Sequence, residues 1–184
     1  MGKKILVLNG SPRANGNTET LADAFIAGAK GAGHEVAKFD LQKMNIAPCL
    51  GCYKCAEKKG TPCIQKDDMD KIYPAYREAD VLVFASPLYY WSFSAQLKAA
   101  FDRIFAVTGE NDMVTPFKEC VMLIAAEGDT EDNFKPMVDY YRSVLHHLGW
   151  KDAGMVLAGG VVQVGDIAGT KFLGEAEKLG ASLA

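Results

Sequence analysis

The stretch of this chain most able to do chemistry is Asn9-Gly10-Ser11-Pro12-Arg13-Ala14-Asn15-Gly16-Asn17-Thr18. It follows a short apolar run, Lys3 to Leu8, and precedes a segment of helical periodicity, so its backbone N–H groups would converge on the positive end of a helix dipole. Ser11, Asn15, Asn17 and Thr18 add short hydrogen-bonding side chains, Gly10 and Gly16 permit close backbone approach, and Arg13 supplies a cation. That set suits a terminal phosphate monoester. It matches neither common nucleotide loop, because a P-loop ends in Gly-Lys-Ser/Thr and a dinucleotide fold needs G-x-G-x-x-G. The plainer alternative is a turn in which Asn17 and Thr18 only cap the orphan N–H groups of the helix.

A second concentration is cysteine. Four of the five cysteines, Cys49, Cys52, Cys55 and Cys63, fall within fifteen residues. In a reducing compartment such clustering points to a metal, a cluster or redox thiols before it points to disulfides. The close-set spacing is that of cluster-binding runs, with a structural zinc and free or reversibly oxidised thiols as the other readings. Lys54, Lys58, Lys59 and Lys66 surround these cysteines and could offset the negative charge of thiolate ligands. Cys120 sits in an apolar run and reads as a small buried hydrophobe.

A third is Ser86-Pro87-Leu88-Tyr89-Tyr90-Trp91-Ser92. Pro87 pins the chain just past a strand, and Tyr89, Tyr90 and Trp91 offer flat apolar faces with polar tips able to line a planar heterocycle. Adjacent aromatics also serve in cores and interfaces. His34, His146 and His147 suggest neither a ligand set nor a nucleophile relay, and Asp67-Asp68 reads as charging and capping the first turn of a helix.

The elements that must position these residues alternate along the chain. Continuous apolar runs at Lys3 to Leu8 and Val81 to Ala85 read as strands buried on both faces, with further strands at Val36 to Leu41, Val121 to Ala125 and Met155 to Ala158. Helical spacing starts at Thr18, where Leu21 and Phe25 share a face, and recurs over Lys66 to Ala79 and through Leu97, Phe101, Ile104 and Phe105. Phe134 to Leu148 gives a long helix stopped by Gly149, and Phe172 to Leu183 a weaker last one. Five strands alternating with five helices imply an α/β fold, a parallel sheet with helices on both faces. The doubly wound order 2-1-3-4-5 fits, and its ligands sit beyond the carboxyl ends of the strands, here after Leu8, Ala85 and Ala125. Gln42 to Gln65 is too long and polar for an ordinary connection, which marks it as functional or disordered.

With 184 residues, 49% of them apolar, and no repeat or linker, the chain is expected to form one domain over 1–184. A formal net charge of −3 with interspersed signs gives no basic stripe for nucleic acid. The apolar run after Lys3-Lys4 is too short for an export signal, position 6 is Leu where myristoylation needs Ser or Thr, and no stretch approaches the roughly 20 apolar residues of a spanning helix. A soluble cytoplasmic protein without membrane contact is expected.

The string Asn-Gly-Ser-Pro-Arg-x-Asn-Gly-Asn-Thr resembles the phosphate loop of the flavodoxin-like NAD(P)H-dependent FMN reductases. Ser86 to Ser92, with Ser94 to Lys98 and Phe101-Asp102-Arg103, resembles that family's second loop and third helix, and the likeness runs over essentially the whole chain. Within this broad family the cysteine run is similar to the compact motif of the iron-sulfur flavoproteins, in which four thiolates hold a [4Fe-4S] cluster. The resemblance implies a flavodoxin-like fold and FMN, with Ser11, Arg13, Asn15, Gly16, Asn17 and Thr18 on the phosphate. Pro87, Leu88, Tyr89, Tyr90 and Trp91 would run along the isoalloxazine edge, and Glu127 and Gly128 would approach it from the other side. It implies NAD(P)H as electron donor, an unspecified acceptor, and a homodimer or higher oligomer with Tyr89 to Trp91 and the cysteine loop at the interface. No side chain need act as acid or base in such a reaction, so none is named catalytic. The rival expectations are an electron carrier on the same fold, which a mildly charged surface disfavours, and a phosphate-ester binding module.

Overall fold

The computed structural model describes residues 2–57, 62–108 and 116–183, with the backbone alone at 56 and 57. Five parallel strands, β1 (Lys4–Asn9), β2 (Glu35–Asp40), β3 (Val81–Pro87), β4 (Glu119–Ala125) and β5 (Lys151–Ala158), form one sheet in the order β2-β1-β3-β4-β5. This is the doubly wound arrangement expected from the alternation of periods. β1, β3 and β4 are buried on both faces after at most one residue, as continuous apolar runs require, whereas the edge strand β2 alternates between exposed and half-buried positions.

The two faces carry different helices. α1 (Asn17–Gly31) and α6 (Lys171–Ala181) cover one face over Ile5, Val7, Val83, Leu123 and Val156. α3 (Met69–Glu78), α4 (Ala95–Thr108) and α5 (Glu131–Leu148) cover the other over Leu6, Leu8, Phe84, Met122 and Ile124. α1 and α6 approach each other closely: a Cβ on Gly28 would lie 1.9 Å from the Glu177 carbonyl oxygen, and one on Gly180 2.1 Å from that of Phe25. The other face holds the large aromatics, with Phe84 edge-on to Phe101 and to Tyr141. There Tyr141 Oη donates to the Cys120 carbonyl at 2.9 Å. Each fully buried Leu or Val on either face stabilises the fold by about 1.5–3 kcal/mol.

Sequence and structure part in a few places. α5 ends where Gly149 adopts φ 66°, as read, and Thr130 Oγ1 caps its start by accepting from the Asn133 N–H. The helix read from Lys66 begins only at Met69, after which it runs to Glu78. The long segment after β2 contains a 3-10 turn at Leu41–Lys43 and a four-residue helix, α2 (Lys54–Glu57). Among the described residues no helix is long and apolar enough to cross a membrane.

Candidate functional site

β1 leaves the sheet at Asn9, whose buried amide donates to Asp40 Oδ1 at 3.0 Å and accepts from the Ser11 N–H at 3.1 Å. Burial alone would raise the Asp40 carboxyl, but the hydrogen bonds from Asn9 and Lys43 outweigh it and hold the group below its ordinary value. Gly10 N–H then donates to the Ala85 carbonyl at 2.8 Å, and Ser94 Oγ donates to the Gly10 carbonyl at 2.7 Å. Gly10 has no room for a side chain: a Cβ there would sit 2.5 Å from Ser94 Oγ and 2.7 Å from Leu97 Cβ. Ser86 Oγ, fully buried, accepts the Ser94 N–H at 2.9 Å. The first two loops are thereby stitched together at the β1/β3 crevice.

The next residues turn through Asn15 at φ 53° into α1. Gly16 is the N-cap, extended and with no side-chain cap, so the plain capped-turn alternative is not what the chain adopts. The first-turn N–H groups of Asn17, Thr18 and Glu19 have no acceptor within the helix and face outward from its positive end. The Asn15 N–H is taken by Glu19 Oε2 at 2.6 Å.

These donors open on a hollow of about 230 Å³ lined by Ser11, Arg13, Gly16, Asn17 and Thr18, by Pro87, Leu88 and Tyr89, and by Glu127. Leu88, Ala126 and Glu127 also wall a second hollow of about 410 Å³, lined by Tyr90, Trp91, Gly128 and Asn133. Of the residues expected on the ligand, Asn15 lines neither hollow. Tyr89 and Ser92 exchange backbone hydrogen bonds at 3.1 and 3.0 Å, with Tyr90 at φ 46° and Trp91 at φ 58° between them. That is a two-residue turn of the primed type, which asks both central residues for the left-handed conformation. It leaves Tyr90 95% exposed and Trp91 54% exposed.

A further wall was missed from the sequence. Val161 and Val162, in the loop after β5, line the first hollow. The loop is hung on the β4 loop by Gly160 N–H to Glu127 O at 3.1 Å and Val161 N–H to Ala126 O at 3.0 Å. A Cβ on Gly159 would lie 2.6 Å from Asp129 Cα, so the pair Gly159-Gly160 was the available signal that two backbones cross here. Arg13 Nη1 donates to the Val162 carbonyl at 2.7 Å, and the Asn17 side chain is bonded to the same loop. Asn17 thereby commits its amide oxygen and one of its two amide N–H groups to the loop while lining the first hollow.

The cysteines gather elsewhere. Cys49, Cys52, Cys55 and Cys63 all line a cavity of about 490 Å³ against the second half of α4, with Tyr53, Phe101, Arg103, Phe105 and Trp150. It shares no lining residue with the two hollows above. Cys49 and Cys52 are exposed, Cys55 is half-buried and Cys63 is buried. The Gly51 N–H points at Cys49 Sγ at 3.5 Å, and Gly51 and Tyr53 turn through φ 62° and 54°. Among the described residues no three His, Cys, Asp or Glu side chains stand together as a metal-holding group. The four thiols thus share a cavity without being drawn up to coordinating distance. Lys66 pairs with Asp70 at 3.8 Å, and Lys58 and Lys59 lie outside the described residues.

Asp67 and Asp68 stand before α3, where Asp67 Oδ1 accepts the Met69 N–H at 3.1 Å as a cap, and their carboxylates also hold this loop: Asp67 Oδ2 accepts from the Ala47 N–H at 3.1 Å and Asp68 Oδ2 from the Asn45 N–H at 2.7 Å. His34 is structural, its Nδ1 accepting the Lys3 N–H at 3.0 Å. Cys120 is fully buried, as expected, and that burial pushes its thiol far above the ordinary range.

Known proteins share this plan. An iron-sulfur flavoprotein of Archaeoglobus fulgidus is 30% identical over 183 residues, 98% of this chain and 79% of the relative. Another, from Methanosarcina thermophila, is 37% identical over 108 residues, which is 59% of this chain and 56% of that relative. An NAD(P)H:quinone oxidoreductase from Methanothermobacter marburgensis has the same fold, with a TM-score of 0.76 at 23% identity over 98% of this chain and 96% of that one. The family model for NADPH-dependent FMN reductases matches residues 3–163. A β1/β3 crevice bounded by an uncapped helix N-terminus, on a sheet of order 2-1-3-4-5, accords with that match, and the chain belongs to the NADPH-dependent FMN reductase family, the FMN-dependent NAD(P)H oxidoreductases of flavodoxin-like fold.

Proposed function

We propose that one flavodoxin-like domain over 1–184 holds the FMN phosphate on Ser11, Arg13, Gly16, Thr18 and the backbone N–H groups of Asn17 and Thr18. The observation that carries this is the N-terminus of α1: it has no side-chain cap and opens on a polar hollow beside Ser11 and Arg13. An anion there would take up the orphan donors and the positive end of the dipole together. The isoalloxazine would lie along Pro87, Leu88 and Tyr89, with Glu127 and Gly128 opposite and Tyr90 and Trp91 at the outer edge. FMN held there would supply the redox chemistry between NAD(P)H and a second acceptor. The protein's part is to bind, orient and shield; no side chain is assigned a proton-transfer step. The acceptor is a small molecule or a protein. Quinone is the first candidate to test, given the name of the structural neighbour from M. marburgensis.

The experiment is titration of flavin-free protein with FMN and with riboflavin, followed by an NADPH and NADH oxidation assay. FMN bound much more tightly than riboflavin, with turnover on a quinone or another acceptor, supports the proposal. Absence of FMN binding sinks it.

A second proposal concerns the cysteines. Cys49, Cys52, Cys55 and Cys63 would hold a [4Fe-4S] cluster, supported by their sharing one cavity and by the names of the two relatives. The thiol set is chemically right for such a cluster, and binding would draw the exposed Cys49 and Cys52 inward. A cluster would let single electrons leave for a protein partner. Anaerobic reconstitution with counting of iron and sulfide tests this, four of each per chain being the expected result. The exposed Tyr90 and Trp91 support a homodimer, to be checked by sizing with light scattering. The clustering of four cysteines within fifteen residues supports residence in the reducing cytoplasm.

A further inference from the structure

The loop after β5 carries no charged ligand for a phosphate, yet the phosphate loop is bound to it more heavily than to any neighbouring helix side chain. Asn17, 8% exposed, bonds the loop through both ends of its amide: Nδ2 donates to the Gln163 carbonyl at 2.8 Å, and Oδ1 accepts from the N–H groups of Gly165 at 3.2 Å and Ile167 at 3.3 Å. Within the loop, Asp166 Oδ2 accepts from the N–H groups of Val162 at 2.9 Å and Gln163 at 2.7 Å. Ile167 is fully buried in the α1/α6 core and anchors the far end. The outcome of this network is the placement of one carbonyl, Val162 O, which receives Arg13 Nη1 at 2.7 Å.

We propose that Asn17 and Asp166 are positioning residues that clamp the Val161 to Ile167 loop, so that Val162 O holds the Arg13 guanidinium at the rim of the phosphate hollow. The clamp acts on the phosphate monoester and not on the isoalloxazine, so it sets the preference for FMN over riboflavin. This part rests on the phosphate reading of the α1 N-terminus. Arginine is suited to such steering, since its planar fork can keep one N–H on a carbonyl while the others face an anion. Without the clamp the long side chain would sample many rotamers, and ordering it again would weaken phosphate binding. Asp166 lines neither hollow, so any influence it has on flavin must pass through the loop.

The test has two arms. In flavin-free protein, amide hydrogen exchange at Gly165 and Ile167 is expected to accelerate in Asn17→Ala and stay slow in Asn17→Asp, which keeps the accepting oxygens. In flavin titrations, Asn17→Ala and Asp166→Ala are each expected to lower FMN affinity about tenfold while leaving riboflavin affinity within about twofold, and the double variant to lose little more than either single one. Unchanged exchange in Asn17→Ala overturns the clamp. So does a loss of FMN affinity in Asn17→Ala that Asp166→Ala does not share, which would make Asn17 a direct phosphate contact. Equal losses for FMN and riboflavin would reduce the loop to general support of the fold and also overturn the proposal. Wild-type protein with no preference for FMN would overturn the phosphate reading itself; it is told apart from failure of the clamp because exchange is measured without flavin.

Discussion

Arg103 and Asp67 form a two-pronged ion pair, Nη1 to Oδ2 at 2.8 Å and Nη2 to Oδ1 at 3.1 Å, with the arginine side chain only 1% exposed. Arg103 Nη1 also donates to the Ala47 carbonyl at 2.8 Å, so a residue on α4 holds the entrance to the cysteine loop. Removing one partner leaves the other charge buried and unpaired. Arg103→Met is therefore expected to cost about 3–5 kcal/mol of stability by denaturant titration. Asp67 also gives the pair an acid limit. Burial would raise its carboxyl, but the Arg103 bond and the Ala47 and Met69 N–H groups prevail and keep it below the ordinary 3.8. A lowered folded-state value means the contribution is present above that ordinary value and is lost as pH falls through the folded one. Asp67→Asn is expected to flatten the stability curve below about pH 4, read from unfolding midpoints across that range.

Gly10 should tolerate nothing larger. Gly10→Ala drives a methyl into Ser94 Oγ and the fully buried Leu97, at an expected cost of about 1–3 kcal/mol together with a weaker flavin site. Gly31→Ala meets no atom within 4 Å at the end of α1 and serves as the control, neutral or slightly stabilising in thermal melts.

Tyr90 and Trp91 occupy a turn whose geometry favours Asn-Gly. The double change Tyr90→Asn, Trp91→Gly should relieve backbone strain and raise stability by about 1–2 kcal/mol. If these rings edge the flavin, the same protein turns over more slowly with NADPH. A higher melting temperature with unchanged turnover would remove them from the site.

The thiols should sort by burial. Brief treatment of the native protein with a maleimide is expected to label Cys49 and Cys52 first, with Cys120 modified only after unfolding because it is enclosed and hard to ionise. Peptide mass spectrometry gives the order.

Much of this was legible in the residues. The continuous apolar runs of β1 and β3 place the crevice, and the density of Ser, Asn, Thr and Gly after Leu8 marks the loop that lines the first hollow. The wall at Val161 and Val162 escaped notice because it works through backbone amides and carbonyls, which Val-Val-Gln-Val does not betray. Asn17 stands at the helix start, where an amide is expected to face a ligand; what local pattern does not show is that the distant return of the chain at Gln163 to Ile167 engages its amide oxygen and one amide N–H. Asp67 does cap the start of α3, its Oδ1 accepting the Met69 N–H at 3.1 Å, but Asp67 and Asp68 also hold groups far along the chain. Their partners Ala47, Asn45 and Arg103 lie 20 or more positions away, beyond the reach of local pattern.

The glycine seam between α1 and α6 makes those two helices share one mechanical fate. Gly28 and Gly180 bring backbone against backbone, α1 begins at the rim of the first hollow, and α6 follows the loop that bears Val162. The carboxyl-terminal helix, although it contributes nothing to the lining of that hollow, becomes a strut of the cofactor cradle, and prising it away with Gly180→Leu should loosen the grip on flavin before the sheet itself gives way.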